Sequence, residues 1–244
     1  MKSAVFICGT DTDVGKTFVT AALIRALNKQ GIRTGGFKPC ESGCRKKKGV
    51  LIRGDSAALK QAGDMPEDIT LINPYCFEEP LAPGVAADRR RVSISFSKIK
   101  KALRTLSQNY DMLFVEGAGG LLVPVSGKKT NLDLIRHLNL SVVLVARLGL
   151  GTINHTLLTL EHLKRHRIKV LGVILNQTTS SGGVAEKTNP PVFRKMGVKI
   201  LGEVAYGQKA LSAKLSDKLP KLLSCRSRIH RRGTELSRPR QPKQ

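Results

Sequence analysis

The sequence predicts a three-layer, doubly wound α/β fold around a mostly parallel sheet, and three observations carry that expectation. Short apolar, β-branched runs alternate with amphipathic segments, the pattern of buried parallel strands joined by helices. The first run, AVFICGT, leads through a glycine-bearing loop straight into the amphipathic segment FVTAALIRALNKQG. The chemically interesting residues then recur just past the predicted strands, at the edge where folds of this class collect their ligands.

Strands are expected at Ala4 to Cys8, Thr34 to Phe37, Met112 to Glu116, Val142 to Ala146, Val170 to Leu175 and Lys199 to Val204. Helices are expected at Lys16 to Gln30, Asp55 to Gln61, Ser97 to Gln108, Asn131 to Leu138, Ile153 to His166 and Pro191 to Lys195. Apolar periodicity stops near Leu223. The expected organisation is therefore one domain over residues 1–224, followed by a disordered extension, 225–244, that carries seven Lys/Arg against one Glu.

At 244 residues the chain suits one α/β domain with a sizeable core. No apolar run approaches the roughly 18 residues of a membrane span, which argues against a membrane protein. The N-terminus enters a strand without a basic region, a long apolar segment and a small-residue cleavage site, so the cytoplasm is the expected compartment. Five cysteines make no disulfide framework, and Cys40 with Cys44 lacks the second pair that zinc would need; free thiols are expected. The formal charge is +24, with dense clusters at Arg45 to Lys48, Arg89 to Arg91 and in the tail. Such charge suits a polyanionic partner, but only 4% of residues are aromatic and no recognition helix or RNA motif is present, so nucleic-acid binding is not expected.

The loop after the first strand reads GTDTDVGKT, Gly9 to Thr17. It ends like the phosphate-binding loop GxxxxGK[ST], yet five residues rather than four separate its glycines, and two are aspartates. In this context backbone N–H groups and the helix start offer positive potential to phosphates, Lys16 reaches the terminal phosphates and the Thr17 hydroxyl can ligate Mg²⁺. After the second strand, GGFKPCESG presents Lys38, a cation that beside ATP can neutralise a phosphoryl group in flight, and Ser42. Asp55 opens a helical segment, where it reads either as an N-cap or as a metal ligand. LFVEGAGG ends a strand on Glu116, where an acid completing a Mg²⁺ site belongs. Thr17, Asp55 and Glu116 form a chemically sensible set for a hard ion that keeps water and phosphate oxygens.

Further along, His155, His162 and His166 share one helical face, with solvation the leading reading and a metal site the other. The turn Gly151 to Asn154 opens the same helix and can receive an anion. LNQT, Leu175 to Thr178, closes a strand with an amide able to read a purine edge.

Taken together, GTDTDVGKT, FKPCESG, GDSAAL, NPYCFEEPLAP, VEGAGG, LGTINHTLLT, LNQT and LGEV resemble, in that order over residues 2–205, the dethiobiotin synthetase family. The resemblance implies an ATP- and Mg²⁺-dependent cyclo-ligase. In that reaction 7,8-diaminopelargonic acid takes up CO₂ as a carbamate, ATP phosphorylates the carbamate, and the second amine closes the cyclic urea. It implies that Asp13, Val14, Gly15, Lys16, Thr17 and Phe18 line the triphosphate, with Thr12, Lys16 and Lys38 near the reacting groups. It places Ser42 on the substrate, Thr17, Asp55 and Glu116 on Mg²⁺, Gly117, Ala118 and Gly119 on ATP, and Asn176 with Gln177 at the adenine. A homodimer is implied, in which Gly151, Thr152 and Asn154 receive the substrate carboxylate from across the interface. Two departures stand out: GEVAYG replaces the family's usual GEIP, and Pro83-Gly84 replaces its frequent Pro-His pair. Two other lineages with related loops offer alternatives, a DNA-partitioning ATPase and a cobyrinic acid-type amidating synthetase. The first usually carries a lysine where this chain has Asp11, and the second a glutaminase domain.

Overall fold

In β1 (Ser3–Gly9), Ala4, Phe6 and Cys8 join one apolar cluster while Val5 and Ile7 join a second on the opposite face. A strand buried on both faces needs helices on both sides. The computed structural model, which describes residues 3–180, 183–208, 211–217 and 219–220, has them. β2 (Thr34–Phe37), β3 (Met112–Gly120), β4 (Ser141–Leu148), β5 (Val170–Gln177) and β6 (Ile200–Val204) complete a parallel sheet in the order β6-β5-β4-β1-β3-β2. These are the six strands expected from sequence. The basic tail, 225–244, lies outside the described residues.

Helices α1 (Lys16–Asn28) and α2 (Gly54–Ala62) supply the cluster that contains Val5 and Ile7. The other face is covered by α3 (Ile69–Ile72), α4 (Pro83–Arg89), α5 (Phe96–Leu106), α6 (Asn131–Leu138), α7 (Thr152–Arg165) and α8 (Val184–Lys195). Among the described residues, no helix is long and apolar enough to cross a membrane.

Helix α8 corrects the expectation of a helix from Pro191: it starts at Val184 and holds Pro190 and Pro191 inside. Each proline removes a helical donor, but Asn189, Pro190 and Phe193 are buried, so packing against the sheet overrides the local preference. The cluster Arg45 to Lys48 also turns out to be structured. Arg45–Lys47 pairs antiparallel with Val50–Ile52 around Lys48 and Gly49, both at positive φ (49° and 81°), the geometry of a two-residue hairpin turn.

From β1 the chain moves out to β2, returns through β3, and then continues to β4 on the far side of β1. That reversal opens a crevice at the carboxyl ends of β1 and its neighbours. The loops after β1, β2 and β3 meet there.

Candidate active site

The long loop after β1 is held by its own lysine. The Lys16 ammonium donates to the Asp11 carbonyl at 2.9 Å, and the Asp11 carboxylate accepts the Thr12 backbone N–H at 2.7 Å. Position 9 tolerates only glycine, because a Cβ there would lie 2.7 Å from the Asp11 carbonyl oxygen and 2.9 Å from the Lys16 nitrogen. Gly15 lies at φ 83°, and a Cβ on it would strike the Asn176 amide nitrogen at 2.1 Å. Asn176, at the end of β5, uses that nitrogen to grip the Val14 carbonyl at 3.0 Å. The loop is thus clamped to a strand two places away in the sheet.

Within the loop, Thr12 and Asp13 are exposed, Asp13 at φ 55°, and Val14 is buried. Phe18 packs against the α1 side of the core. Burial and the neighbouring Lys38 charge hold the Lys16 ammonium below the usual lysine range. An arriving anion would relieve that penalty.

Thr17, Lys38, Asp55 and Glu116 come together as one network. The Lys38 ammonium donates to Asp55 Oδ2 at 2.7 Å and to Glu116 Oε1 at 2.6 Å, and the Thr17 hydroxyl donates to the same Glu116 oxygen at 2.6 Å. Lys38 is 4% exposed and Glu116 fully buried, whereas Asp55 is half-exposed. Burial alone would lower the Lys38 pKa, but Glu116 and Asp55 outweigh it and hold the ammonium above its ordinary range. Burial works against ionised Asp55, yet the charge of Lys38 and its hydrogen bond keep the carboxyl below the usual range. The second Glu116 oxygen, Oε2, is buried without a hydrogen-bond partner among the described residues.

Three residues that sequence reasoning did not single out hold this network. Glu41 accepts the backbone N–H groups of Asp55 and Ser56 at 2.9 and 3.0 Å, and the Ser56 hydroxyl as well. It therefore caps α2 from fourteen residues upstream, whereas the N-cap position, Arg53, contributes no side-chain bond. The N-cap reading of Asp55 is corrected accordingly: Glu41 caps the helix, and the Asp55 carboxylate is left to face Lys38. Fully buried Asn73 donates to the Lys38 carbonyl at 2.7 Å and fixes the backbone that carries the ammonium. Asn131, opening α6, donates to the Ala118 and Gly120 carbonyls, both at 2.7 Å, and so fixes the glycine-rich end of β3, Gly117 to Gly119. The partners of all three are remote in sequence, and no local signal names them.

The remaining predicted residues stand apart from the network. Ser42 is half-buried on the strap that leaves β2. Gly151 and Asn154 are exposed at the start of α7, whereas Thr152 and Thr156 are buried with hydroxyls that lack partners among the described residues. Gln177 donates to the Thr179 carbonyl at 3.0 Å, and Ala205 to Gly207 are exposed. Gly84, in α4, packs against the Pro124 backbone, whose carbonyl would lie 3.2 Å from a Cβ there, so a side chain at this position needs Pro124 to give by a few tenths of an ångström. The His162 and His166 rings lie 4.6 Å apart, and no group of three His, Cys, Asp or Glu able to hold a metal occurs among the described residues.

The AAA_26 family, an AAA domain, matches residues 3–213. The chain is similar to the ATP-dependent dethiobiotin synthetase BioD of Thermodesulfovibrio yellowstonii, 43% identical over 84% of this chain and 90% of that one. The same-named protein of Methanocaldococcus jannaschii is 41% identical over 82% and 92% of the two chains. Among solved structures, a ParA family ATPase from Chlorobium tepidum superimposes with a TM-score of 0.53 at 17% identity, covering 92% of this chain and 96% of its own. Cobyrinic acid a,c-diamide synthase from Mycobacterium smegmatis gives 0.51 at 15% identity, over 91% and 94%. These two likenesses show the fold alone, which the partitioning and amidating lineages share. The sequence relatives discriminate where the fold does not: the chain belongs to the ATP-dependent dethiobiotin synthetase family.

Proposed function

We propose that this chain converts 7,8-diaminopelargonic acid, CO₂ and ATP into dethiobiotin, ADP and phosphate, working in the cytoplasm as a homodimer. The observation that carries the reading is the buried Lys38 ammonium, held between Asp55 and Glu116 beside the phosphate-binding loop. A cation charged throughout the physiological range cannot act as a base. Its use is to stabilise negative charge as it develops.

In this reading one amine of the substrate adds to CO₂ and loses a proton, giving a carbamate. A carbamate oxygen attacks the γ-phosphorus, and ADP leaves. The second amine then attacks the carbonyl carbon of the mixed anhydride, phosphate departs and the urea ring closes. The protein's part is alignment and charge neutralisation. Lys16 and Lys38 flank the transferring group, and the amides of residues 12–18 cradle the triphosphate. Because two carboxylates hold Lys38, one contact can lengthen toward an anion without leaving the ammonium unpaired.

Thr17, Asp55 and Glu116 fit Mg²⁺: all three offer oxygen, and Glu116 Oε2 is a buried anionic oxygen without a hydrogen-bond partner among the described residues. When bound, Mg²⁺ would draw charge from the β- and γ-phosphate oxygens. The Asn176 Oδ1 atom, buried and without a partner among the described residues, suits an exocyclic amine as donor, with Gln177 assigned beside it and Gly117, Ala118 and Gly119 to the ATP. Ser42 is assigned to the diamine. Gly151, Thr152 and Asn154 are assigned to its carboxylate from the second copy.

The test combines protein, ATP, Mg²⁺, labelled bicarbonate and the diamine. Labelled cyclic urea formed in step with ADP is the expected result. ATP turnover indifferent to the diamine would overturn the reading, and DNA-stimulated turnover would point to the partitioning lineage instead.

A further inference from the structure

The cysteines of the described residues are of two kinds. Cys8 and Cys40 sit in the apolar core, where burial pushes each thiol up to about 12, so neither readily becomes a thiolate. Cys44 and Cys76 instead face each other with their sulfurs 2.9 Å apart, although 32 positions separate them in sequence.

Backbone hydrogen bonds fasten both sides of this pair. Phe77 N–H donates to the Glu41 carbonyl at 2.8 Å, Cys44 N–H to the Phe77 carbonyl at 3.0 Å and Gly43 N–H to the Glu79 carbonyl at 3.1 Å, while Glu41 stands in register with Cys76 in a short parallel ribbon. A disulfide brings its sulfurs to about 2.05 Å. Closing the gap thus takes about 1 Å of side-chain movement and no change of backbone pairing. Cys76 is half-buried and open to a small oxidant, whereas Cys44 is buried behind it. The sulfur–sulfur hydrogen bond with Cys44 holds the Cys76 thiol below its ordinary range, against burial and with help from Arg53. The same hydrogen bond, with burial, pushes Cys44 up.

We propose that Cys44 and Cys76 are a reversible dithiol–disulfide site, oxidised by hydrogen peroxide, whose closure locks the strap carrying Ser42 onto the segment at 75–79. The Cys76 thiolate attacks one peroxide oxygen and the O–O bond breaks. Cys76 is left as a sulfenic acid, and the departing hydroxide takes up the thiol proton as water. The Cys44 sulfur then attacks the Cys76 sulfur; the S–O bond breaks, and its hydroxide leaves as a second water with the Cys44 proton. Two thiols and one peroxide give one disulfide and two waters, with two electrons passing from sulfur to peroxide.

The full chain is titrated with hydrogen peroxide, free thiols are alkylated, and peptides are mapped by mass, in parallel with a Cys225→Ser background that removes the tail thiol. The expected result is the loss of two alkylatable thiols per chain, one Cys44–Cys76 linked peptide that dithiothreitol cleaves, and a higher Tm for the oxidised chain that falls back on reduction. In Cys44→Ser the sulfenic acid at Cys76 should accumulate and be trapped by dimedone. In the unmutated chain, progress of Cys76 to sulfinic acid, or its linkage to Cys225 or a second chain while Cys44 stays alkylatable, overturns the proposal whether or not the variants fold. A linked peptide without a rise in Tm overturns the locking role.

Discussion

On the β1, β3 and β2 side of the sheet's carboxyl edge, charged side chains find their partners within the chain: Lys38 with Asp55 and Glu116, Thr17 with Glu116, Lys16 with the Asp11 carbonyl. On the β4, β5 and β6 side, the Thr152 and Thr156 hydroxyls and Asn176 Oδ1 are buried without partners among the described residues, and Leu150 is 88% exposed. Each buried unpaired group costs about 1–3 kcal/mol. A fold keeps such groups where something else completes them. The first side is therefore organised in advance for charge neutralisation, with Glu116 Oε2 still open among the described residues. On our proposal, the second side awaits the nucleotide base and a second copy of the chain. Substitutions on the first side should act on turnover and stability, and those on the second on affinity.

Lys38→Ala tests that division most severely. It leaves Glu116 buried and unpaired, so stability should fall by about 3–5 kcal/mol in a denaturant melt. Turnover should drop ~10²–10³-fold, while the ATP dissociation constant changes little. An equal loss of ATP affinity would break the comparison. Asn176→Ala, on the other side, should weaken ATP about tenfold, or ~1.4 kcal/mol, and narrow the preference for ATP over GTP at nearly constant kcat; calorimetric titration of both nucleotides reads this. Glu41→Gln sharpens the first half. The weakened cap on α2 should cost about 1 kcal/mol, and the Mg²⁺ concentration needed for half-maximal turnover should rise several-fold as Asp55 loses its fixed backbone. Thr152→Val should be the mildest, and of opposite sign in stability: it removes a buried hydroxyl that is unpaired among the described residues, so stability should rise by about 1 kcal/mol, with a raised KM for the diamine. An unchanged KM would remove the start of α7 from the substrate site.

The prolines of α8 and the role of Asp55 mark the limit of local reading. Pro191 suits the beginning of a helix, but the buried trio Asn189, Pro190 and Phe193 carries the helix back to Val184. Asp55 suits cap and ligand equally well because both uses place a carboxylate at a helix start. Glu41 settles the cap, and nothing near Glu41 in sequence announces the partner fourteen residues on. Asn73, Asn131 and the Cys44–Cys76 pair are equally silent, since an asparagine or a thiol has no periodicity from which to infer a partner.

The sheet and the position of the site along it are legible in the chain alone. The continuous apolar run of β1, the glycines and lysine of the loop, and apolar runs ending in Glu116 or Asn176 are local properties, written within a few residues of where they act. Which groups answer one another is instead a property of the folded chain. Whether a carboxylate is a cap, a counter-ion or a candidate metal ligand depends on neighbours that folding brings from far away, as it brings Glu116 to Thr17 across 99 positions and Asn176 to Val14 across 162.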